Sequence, residues 1–576
     1  MKNGDRDTRW VFVIAVVASV VAFIHYFRQN EILMYGDAVA HINIARRVFD
    51  SRSPGLDQLG TVWLPLPHLL TIPFILNDWM WRTGVGGSIA SMIAYVAGVI
   101  GMFRLVRDNL RGHRRGRLAA WIATLVYALN PNLLYMQATA MTESLSLAFF
   151  VWAVVFFADF VREYSHPCAK NLRKSGAPDD RRAERSLWWC ALMLSGEMLT
   201  RYDGWFAACV MAAVLFGFLS RQRSRTRVEG KRTPGIGDRE SGINKDENAA
   251  ALHDWKVETG NWKLIFARFV VLIAIVPIFW FTYNYRLFGN PLEFATGPYS
   301  ARAIAERTSR PGEPPYPGKN HPGTAALYFV KSGALNLAGY RLEGEYGHWW
   351  RRTWQQDGWW FLLAAGSIAL ISLRAWPLLL LWIPLPFYAL SIAYGGVPIF
   401  IPSWWPFSYY NVRYGLQLLP LAAACVAAVV VAARWPKAIA TGLIVFTAIT
   451  YLGTWRTDPI CLREAKVNSR AREQLETRLA QVLAALPHDA TILMYTGEHV
   501  GALQRAGIPL RRSINENNYY AWRDALRSPA TMADYAVTFG DDDVSKAVRA
   551  DPRFVASEKI TVEKQPPAML YARVAR

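Results

Sequence analysis

About eleven stretches of this chain are apolar enough, at roughly 20 residues per crossing, to traverse a lipid bilayer. They fall near 10–27, 85–106, 117–130, 143–161, 187–200, 204–220, 264–283, 359–373, 376–394, 415–433 and 437–454. Inside hydrocarbon every backbone N–H and C=O must be satisfied within its own segment, so stretches of this length fold as helices. The composition agrees: 52% of the 576 residues are hydrophobic and only 19% are charged, unlike a soluble domain. The run Thr61–Leu76 is excluded from the set. Its Pro65, Pro67 and Pro73 predict a kinked interfacial or re-entrant segment rather than a crossing.

Charge orients the bundle. The net charge of +20 could suggest a nucleic-acid partner, but the basic residues cluster in short connections between apolar stretches. Arg104, Arg107, Arg111, Arg114, Arg115 and Arg117 share one connection; Arg162, Arg181, Arg182 and Arg185 lie in the next but one. Arg221, Arg223, Arg225 and Arg227 open the following one on that side. This is the topology signal of membrane insertion. It predicts a multi-pass protein of a bacterial-type inner or plasma membrane, with a cytoplasmic N-terminus, lipid headgroups as its acidic partners, and no nucleic acid. The basic start of the first stretch, with no small-residue cleavage site after it, reads as a retained anchor.

The opposite face then receives 28–84, 131–142, 201–203, 284–358, 395–414 and everything after the last crossing. The expected fold class is mainly α: a polytopic α-helical membrane domain over 1–454, with external loop helices at 37–84 and a mobile cytosolic loop at 221–262. A small extracytoplasmic α/β domain over 455–576 follows. Its strand-like runs are Thr491–Tyr495, Tyr535–Phe539 and Met569–Ala572, and they alternate with helical runs at Glu473–Leu486, Tyr520–Leu526 and Val544–Ala550.

The external segments collect ionisable residues at the ends of crossings, where they are costly to keep and are functional candidates. Asp37 and His41 share one helix face. Asp57 and His68 lie in the same loop, Glu143 opens a crossing after Thr142, and Arg201, Tyr202 and Asp203 form a very short turn. Asn411, Arg413 and Tyr414 end another loop. Each has a plainer reading. Asp37 could cap the helix after it, Glu143 could serve a helix dipole, and Asp203 could simply pair with Arg201. Asp37, His41, Asp57 and His68 could together hold a divalent metal, the one candidate cofactor. Trp63, Trp205, Trp404, Trp405, Tyr409 and Tyr410 could stack on sugars or form an interfacial aromatic belt. Chemistry that suits this set is sugar transfer from a lipid phosphate. A carboxylate, Asp37, would orient the acceptor hydroxyl and take its proton. Cations, Arg201 and Arg413 with Arg286 in reserve, would hold the phosphate as it leaves.

The segments Tyr35-Gly36-Asp37-Ala38, Thr142-Glu143, Leu199-Thr-Arg-Tyr-Asp-Gly-Trp205 and Asn411-Val-Arg-Tyr-Gly415 with Pro420 occur in an order that resembles the class C glycosyltransferase superfamily. The branch containing protein O-mannosyltransferases and bacterial lipid A aminoarabinose transferases is the most similar, over roughly 10–454. The resemblance implies an inverting enzyme acting by direct displacement. Its donor would be a polyprenyl-phosphate-linked sugar, its acceptor a lipid, glycan or protein, and its catalytic acidic residue Asp37. Two departures stand out. Ala38 occupies the place where relatives often carry a second acidic residue, and no acidic–lysine pair precedes Pro65. The rival readings are a transporter or flippase for a polar lipid or solute, and an inactive envelope scaffold. The first fits poorly, since no internal repeat is evident and the ionisable groups sit at span ends rather than mid-membrane.

Overall fold

The computed structural model describes residues 2–165, 179–232, 261–309, 312–338, 354–402 and 408–574. Most of the expected loop 221–262 lies outside the described residues, as do Trp404 and Trp405; residues 221–232 continue a helix.

Among the described residues eight helical segments are long and apolar enough to cross a membrane, and each coincides with an expected crossing. The expected crossing at 117–130 is the first half of a bent pair, α6 (Gly116–Ala128) and α7 (Pro131–Gln137), turned by 59°. Counted as one crossing, that pair makes nine. The stretches 187–200 and 359–373 are also helical, in α9 (Asp179–Met198) and in the Trp354–Ser372 helix. Their ends carry polar side chains, among them Arg181, Arg182, Glu184 and Arg185 in the first and Gln356 and Asp357 in the second. The proline-rich run forms only the ten-residue α3 (Leu66–Ile75), too short to span. Residues 284–358 were expected to lie wholly in a connection. They include instead a 17-residue helix, Pro322–Ala338, whose Lys331, Ser332 and Asn336 are buried against the 412–418 turn and neighbouring helices.

The loop after α1 (Lys2–Arg28) sets the site. The chain leaves α1 through Asn30, which takes the left-handed conformation that Asn tolerates (φ 58°). It then enters α2 (Gly36–Arg47). Ala38, Ile42 and Ala45 recur at helical spacing and are fully buried. Ile42 packs on α5 (Val85–Asn109), where Gly87 allows the approach: a Cβ there would lie 2.6 Å from Ile42 and 2.7 Å from Ala140.

The last apolar helix (Pro436–Arg456) runs after three residues into the Ile460–Ala484 helix, which leads to a five-stranded sheet. The strands β1 (Ile492–Met494), β2 (Ser513–Ile514), β3 (Tyr535–Phe539), β4 (Phe554–Ile560) and β5 (Ala568–Arg573) lie in the order β2-β1-β3-β5-β4. The first three are parallel, and β5 runs antiparallel to β3 and β4. β1, β3 and β5 match the expected runs. β2 is two residues long, and β4 buries only its ends, so neither carries an alternating signal.

This C-terminal unit is bound to the α2 loop by buried polar contacts. Asn43 Nδ2 donates to Gln504 Oε1 at 2.7 Å, Gln504 Nε2 donates to the Trp81 carbonyl at 2.7 Å, and Trp81 Nε1 donates to Asn43 Oδ1 at 3.1 Å. At the far end of the loop Asp50 accepts from Arg46, from the Leu510 N–H and from Arg511. Gln504→Leu removes two buried hydrogen bonds, while Asn43 Nδ2 still donates to the Val39 carbonyl and the Trp81 carbonyl still accepts from the Gly84 N–H, and should lower stability by about 1–3 kcal/mol. Denaturant unfolding of the detergent-purified protein measures this; an unchanged midpoint would remove the clamp from the account.

Candidate active site

Five segments converge at one end of the bundle. Tyr35, Gly36 and Asp37 open α2, and Glu143 opens α8 (Glu143–Ser165). Arg201 and Tyr202 lie between α9 and α10 (Asp203–Arg232), with Asp203 first in the latter. Asn411 to Tyr414 precede the Leu419–Ala432 helix, and Glu464 lies in the Ile460–Ala484 helix.

Local backbone explains each position. Asn411 adopts a left-handed conformation (φ 55°), which aims three successive N–H groups at one carboxylate. Asn411, Val412 and Arg413 donate to Glu464 at 2.7, 2.9 and 3.4 Å. Gly415 then packs on the Pro322–Ala338 helix so closely that a Cβ would lie 2.4 Å from the Ser332 backbone. The 199–204 turn is equally tight, since the Thr200 and Arg201 N–H groups both donate to the Glu197 carbonyl at 2.8 Å. Gly204 permits that turn: a Cβ there would meet Glu197 and Met198 backbone atoms at 2.7 Å.

The side chains form an alternating ladder of charge. Arg413 donates through Nη2 to Asp37 at 2.7 Å, through Nε to Glu143 at 3.2 Å, and through Nη1 to Glu464 at 3.1 Å. Arg201 donates to the same Glu143 oxygen, Oε1, at 3.3 Å, to Asp203 at 3.2 Å, to Thr142 Oγ1 at 3.2 Å and to the Tyr388 hydroxyl at 2.8 Å. Tyr388 in turn donates to Asp203 at 2.8 Å. The Tyr414 ring lies against both guanidinium groups, at 4.9 and 5.2 Å. Four carboxylates face two guanidiniums, a formal surplus of two negative charges. Glu143 and Glu464 are each 1% exposed and Asp203 8%, whereas Asp37 is 38% exposed. Asp37 is therefore the carboxylate of the ladder that an incoming molecule can reach.

Asp37 is not the cap of its helix. Tyr35 occupies that position and makes no side-chain cap bond; its hydroxyl donates instead to the Cys461 carbonyl at 2.8 Å.

Other expected site residues lie nearby but outside the ladder. His41 Nδ1 and His68 Nε2 are 2.9 Å apart, and His41 packs on the Trp63 ring at 4.8 Å. The Tyr202 hydroxyl takes a hydrogen bond from Trp280 Nε1 at 3.3 Å, and its ring stacks on Phe294. Asp57 stands apart. It lies in a short turn (Leu56–Leu59) that faces Tyr519 and Leu287, so it does not join Asp37, His41 and His68 as a metal-binding set. Among the described residues no group of three or more His, Cys, Asp or Glu side chains is placed to hold a metal ion. Glu464 and Tyr388 are the members of the ladder that sequence reading did not identify.

Burial pushes the His41 imidazole down to about 4 and His68 well below its ordinary value. Both rings are thus neutral in the folded protein at a pH where the unfolded chain already protonates them. The unfolded state then binds more protons, so stability rises with pH. The contribution is complete above about 6.5 and is lost as pH falls towards about 4; His499, also held at about 4 by burial, acts in the same window. The Tm should fall between those values, and His41→Gln should flatten the decline. A variant with the wild-type pH slope would refute this account.

A bundle of apolar helices joined to a small sheet, with an ion-paired cluster where span ends and a loop helix meet, is a fold that the chain shares with solved membrane-protein structures. No protein-family model and no curated protein matches it in sequence. Among solved structures it superposes on ArnT from Cupriavidus metallidurans bound to undecaprenyl phosphate. The TM-score is 0.54 at 14% identity, over 99% of this chain and 98% of that one. The apo form of that ArnT gives 0.53 at 13% identity, with 99% of each chain covered. The Archaeoglobus fulgidus oligosaccharyltransferase gives 0.45 at 11% identity, over 92% of this chain and 69% of that one.

Proposed function

We propose that this protein is an integral-membrane glycosyltransferase that moves a sugar from a polyprenyl-phosphate donor to a lipid, glycan or protein acceptor. The observation that carries this reading is the ladder's one accessible carboxylate. Asp37 is fixed by Arg413 at 2.7 Å, at the end of the bundle where crossings meet a loop helix. The shared fold with ArnT, whose solved complex holds undecaprenyl phosphate, supports a lipid phosphate as donor.

In the proposed displacement the acceptor oxygen bonds to the anomeric carbon while its proton passes to the Asp37 carboxylate. The bond from that carbon to the phosphate oxygen breaks, the electron pair leaves on polyprenyl phosphate, and the configuration inverts. Arg413, which holds Asp37 through Nη2, and Arg201, which shares Glu143 with it, are the cations proposed to meet the leaving phosphate. Each is already shared among carboxylates, so their first effect is to hold Asp37 ionised and oriented. Glu143 and Asp203 keep both cations in place. The charge pattern of the connections supports a cytoplasmic N-terminus and an extracytoplasmic site, with the region 455–576 on the same side as the α2 loop.

The test is incubation of the purified protein with radiolabelled polyprenyl-phosphate sugars and an envelope extract. Free polyprenyl phosphate together with label in a new product supports a transferase. Label moved across a vesicle membrane with the sugar–phosphate bond intact would establish a transporter instead.

A further inference from the structure

A polar cavity lies at the other end of α2 from Asp37. It measures about 250 Å³ and is lined by Asp57, Leu287, Tyr519, Tyr520 and Arg523, so the α2 loop, a membrane helix and the C-terminal unit all contribute. Arg47, the last residue of α2, lies beside it. The Arg47 guanidinium is under-used: Nη2 donates to the Gln58 carbonyl at 3.2 Å, and the buried Nε has no partner. Burial penalises its charge. The acid nearest in sense, Glu516, is committed elsewhere, accepting from the Thr496 N–H and hydroxyl at 2.9 Å and from Asn517 at 3.0 Å. Tyr519 holds a φ of 44°, a sparsely populated conformation for a bulky side chain, and this keeps its half-exposed ring at the cavity wall.

From the exposed Arg523, the two phenol rings and the Asp57 carboxylate meeting at one cavity, with Arg47 and its unpartnered Nε beside the Tyr519 wall, we infer a binding site for an anionic sugar unit bearing a phosphate or a carboxylate. Arginines pair with the anion, tyrosine rings pack on a sugar face, and Asp57 accepts from ring hydroxyls. Resting on the transferase reading, the site belongs to the acceptor. Arg47 is ten residues beyond Asp37 on one helix, or about 15 Å at 1.5 Å per residue. The donor's phosphate is bonded directly to the reacting carbon and stays beside Asp37. An anion at the far end of α2 is therefore part of the molecule being glycosylated.

Binding is tested on the full-length protein in detergent by calorimetry with glucose 6-phosphate, glucuronate, glucose and inorganic phosphate. At least one anionic sugar should bind about tenfold or more tightly than glucose and than phosphate alone, and Arg47→Gln and Arg523→Gln should each weaken it about tenfold. Equal binding of glucose, equal binding of bare phosphate, or unchanged affinity in Arg523→Gln would overturn the site. Arg523 is exposed, so its variant decides the question if Arg47→Gln fails to fold. Asp37→Asn should bind the probes as wild type does; loss of binding there would place the anion at the reaction centre and overturn the acceptor assignment. If Asp37→Asn retains transfer while the arginine variants lose probe binding, the catalytic assignment fails and the site stands.

Discussion

Asp37→Asn should lower sugar transfer by about 10²- to 10⁴-fold, the range in which a positioned general base contributes. The substitution preserves shape and one acceptor oxygen for Arg413, and the side chain is already partly exposed, so folding and membrane insertion should change little. Product formation from a polyprenyl-phosphate sugar, measured beside the unfolding midpoint, separates the two effects. Near-wild-type turnover would end the assignment of Asp37 as base. Ala38, the residue after it, is buried and cannot substitute, so no neighbouring carboxylate in the loop shares the task.

The second large effect is on stability. Arg413→Ala removes the cation shared by Glu143 and Glu464, both of which remain buried. Removing one partner of a buried ion pair typically costs about 3–5 kcal/mol; Glu143 keeps Arg201, so the cost falls on Glu464, whose buried charge is left with no counter-ion. Lys should rescue little, since one ammonium cannot present separate donors to three carboxylates as a planar guanidinium does. Adding Glu464→Gln to Arg413→Ala should recover part of the loss, a non-additive signature expected only if the two side chains are coupled. Unfolding monitored by tryptophan fluorescence reports all three variants. An Arg413→Ala protein as stable as wild type would show that the ladder is not a structural element.

The membrane architecture was readable from apolar length because hydrocarbon leaves a chain few choices. Asp37, Glu143, Arg201, Asp203 and Arg413 were readable for a related reason: each interrupts or borders an apolar run, where a charge has to have a use. Glu464 had no such contrast. It sits in Cys461-Leu-Arg-Glu464-Ala-Lys466, an ordinary charged helix start assigned to a separate C-terminal domain. Only the three-residue break after Arg456 and the left-handed turn at Asn411 bring it beneath Arg413. Tyr388 was hidden within an apolar crossing, where a tyrosine reads as packing. Asp57 failed in the opposite direction: sharing a loop with His68 did not bring it to the same side of α2.

The joint between Asn43 and Gln504 links residues 461 positions apart, and Asp50 waits as long for Arg511. At roughly 5–20 residues per second of synthesis, α2 stands for about 20–90 s without the unit that fixes its far face. During that interval the bundle can insert and the ladder's early members can be in place, but Glu464 and Gln504 have yet to leave the ribosome. The α2 loop therefore acquires its final setting only after Gln504, 461 positions beyond Asn43, has been made. A copy released before Glu464 would hold Arg413 with one of its three carboxylates missing.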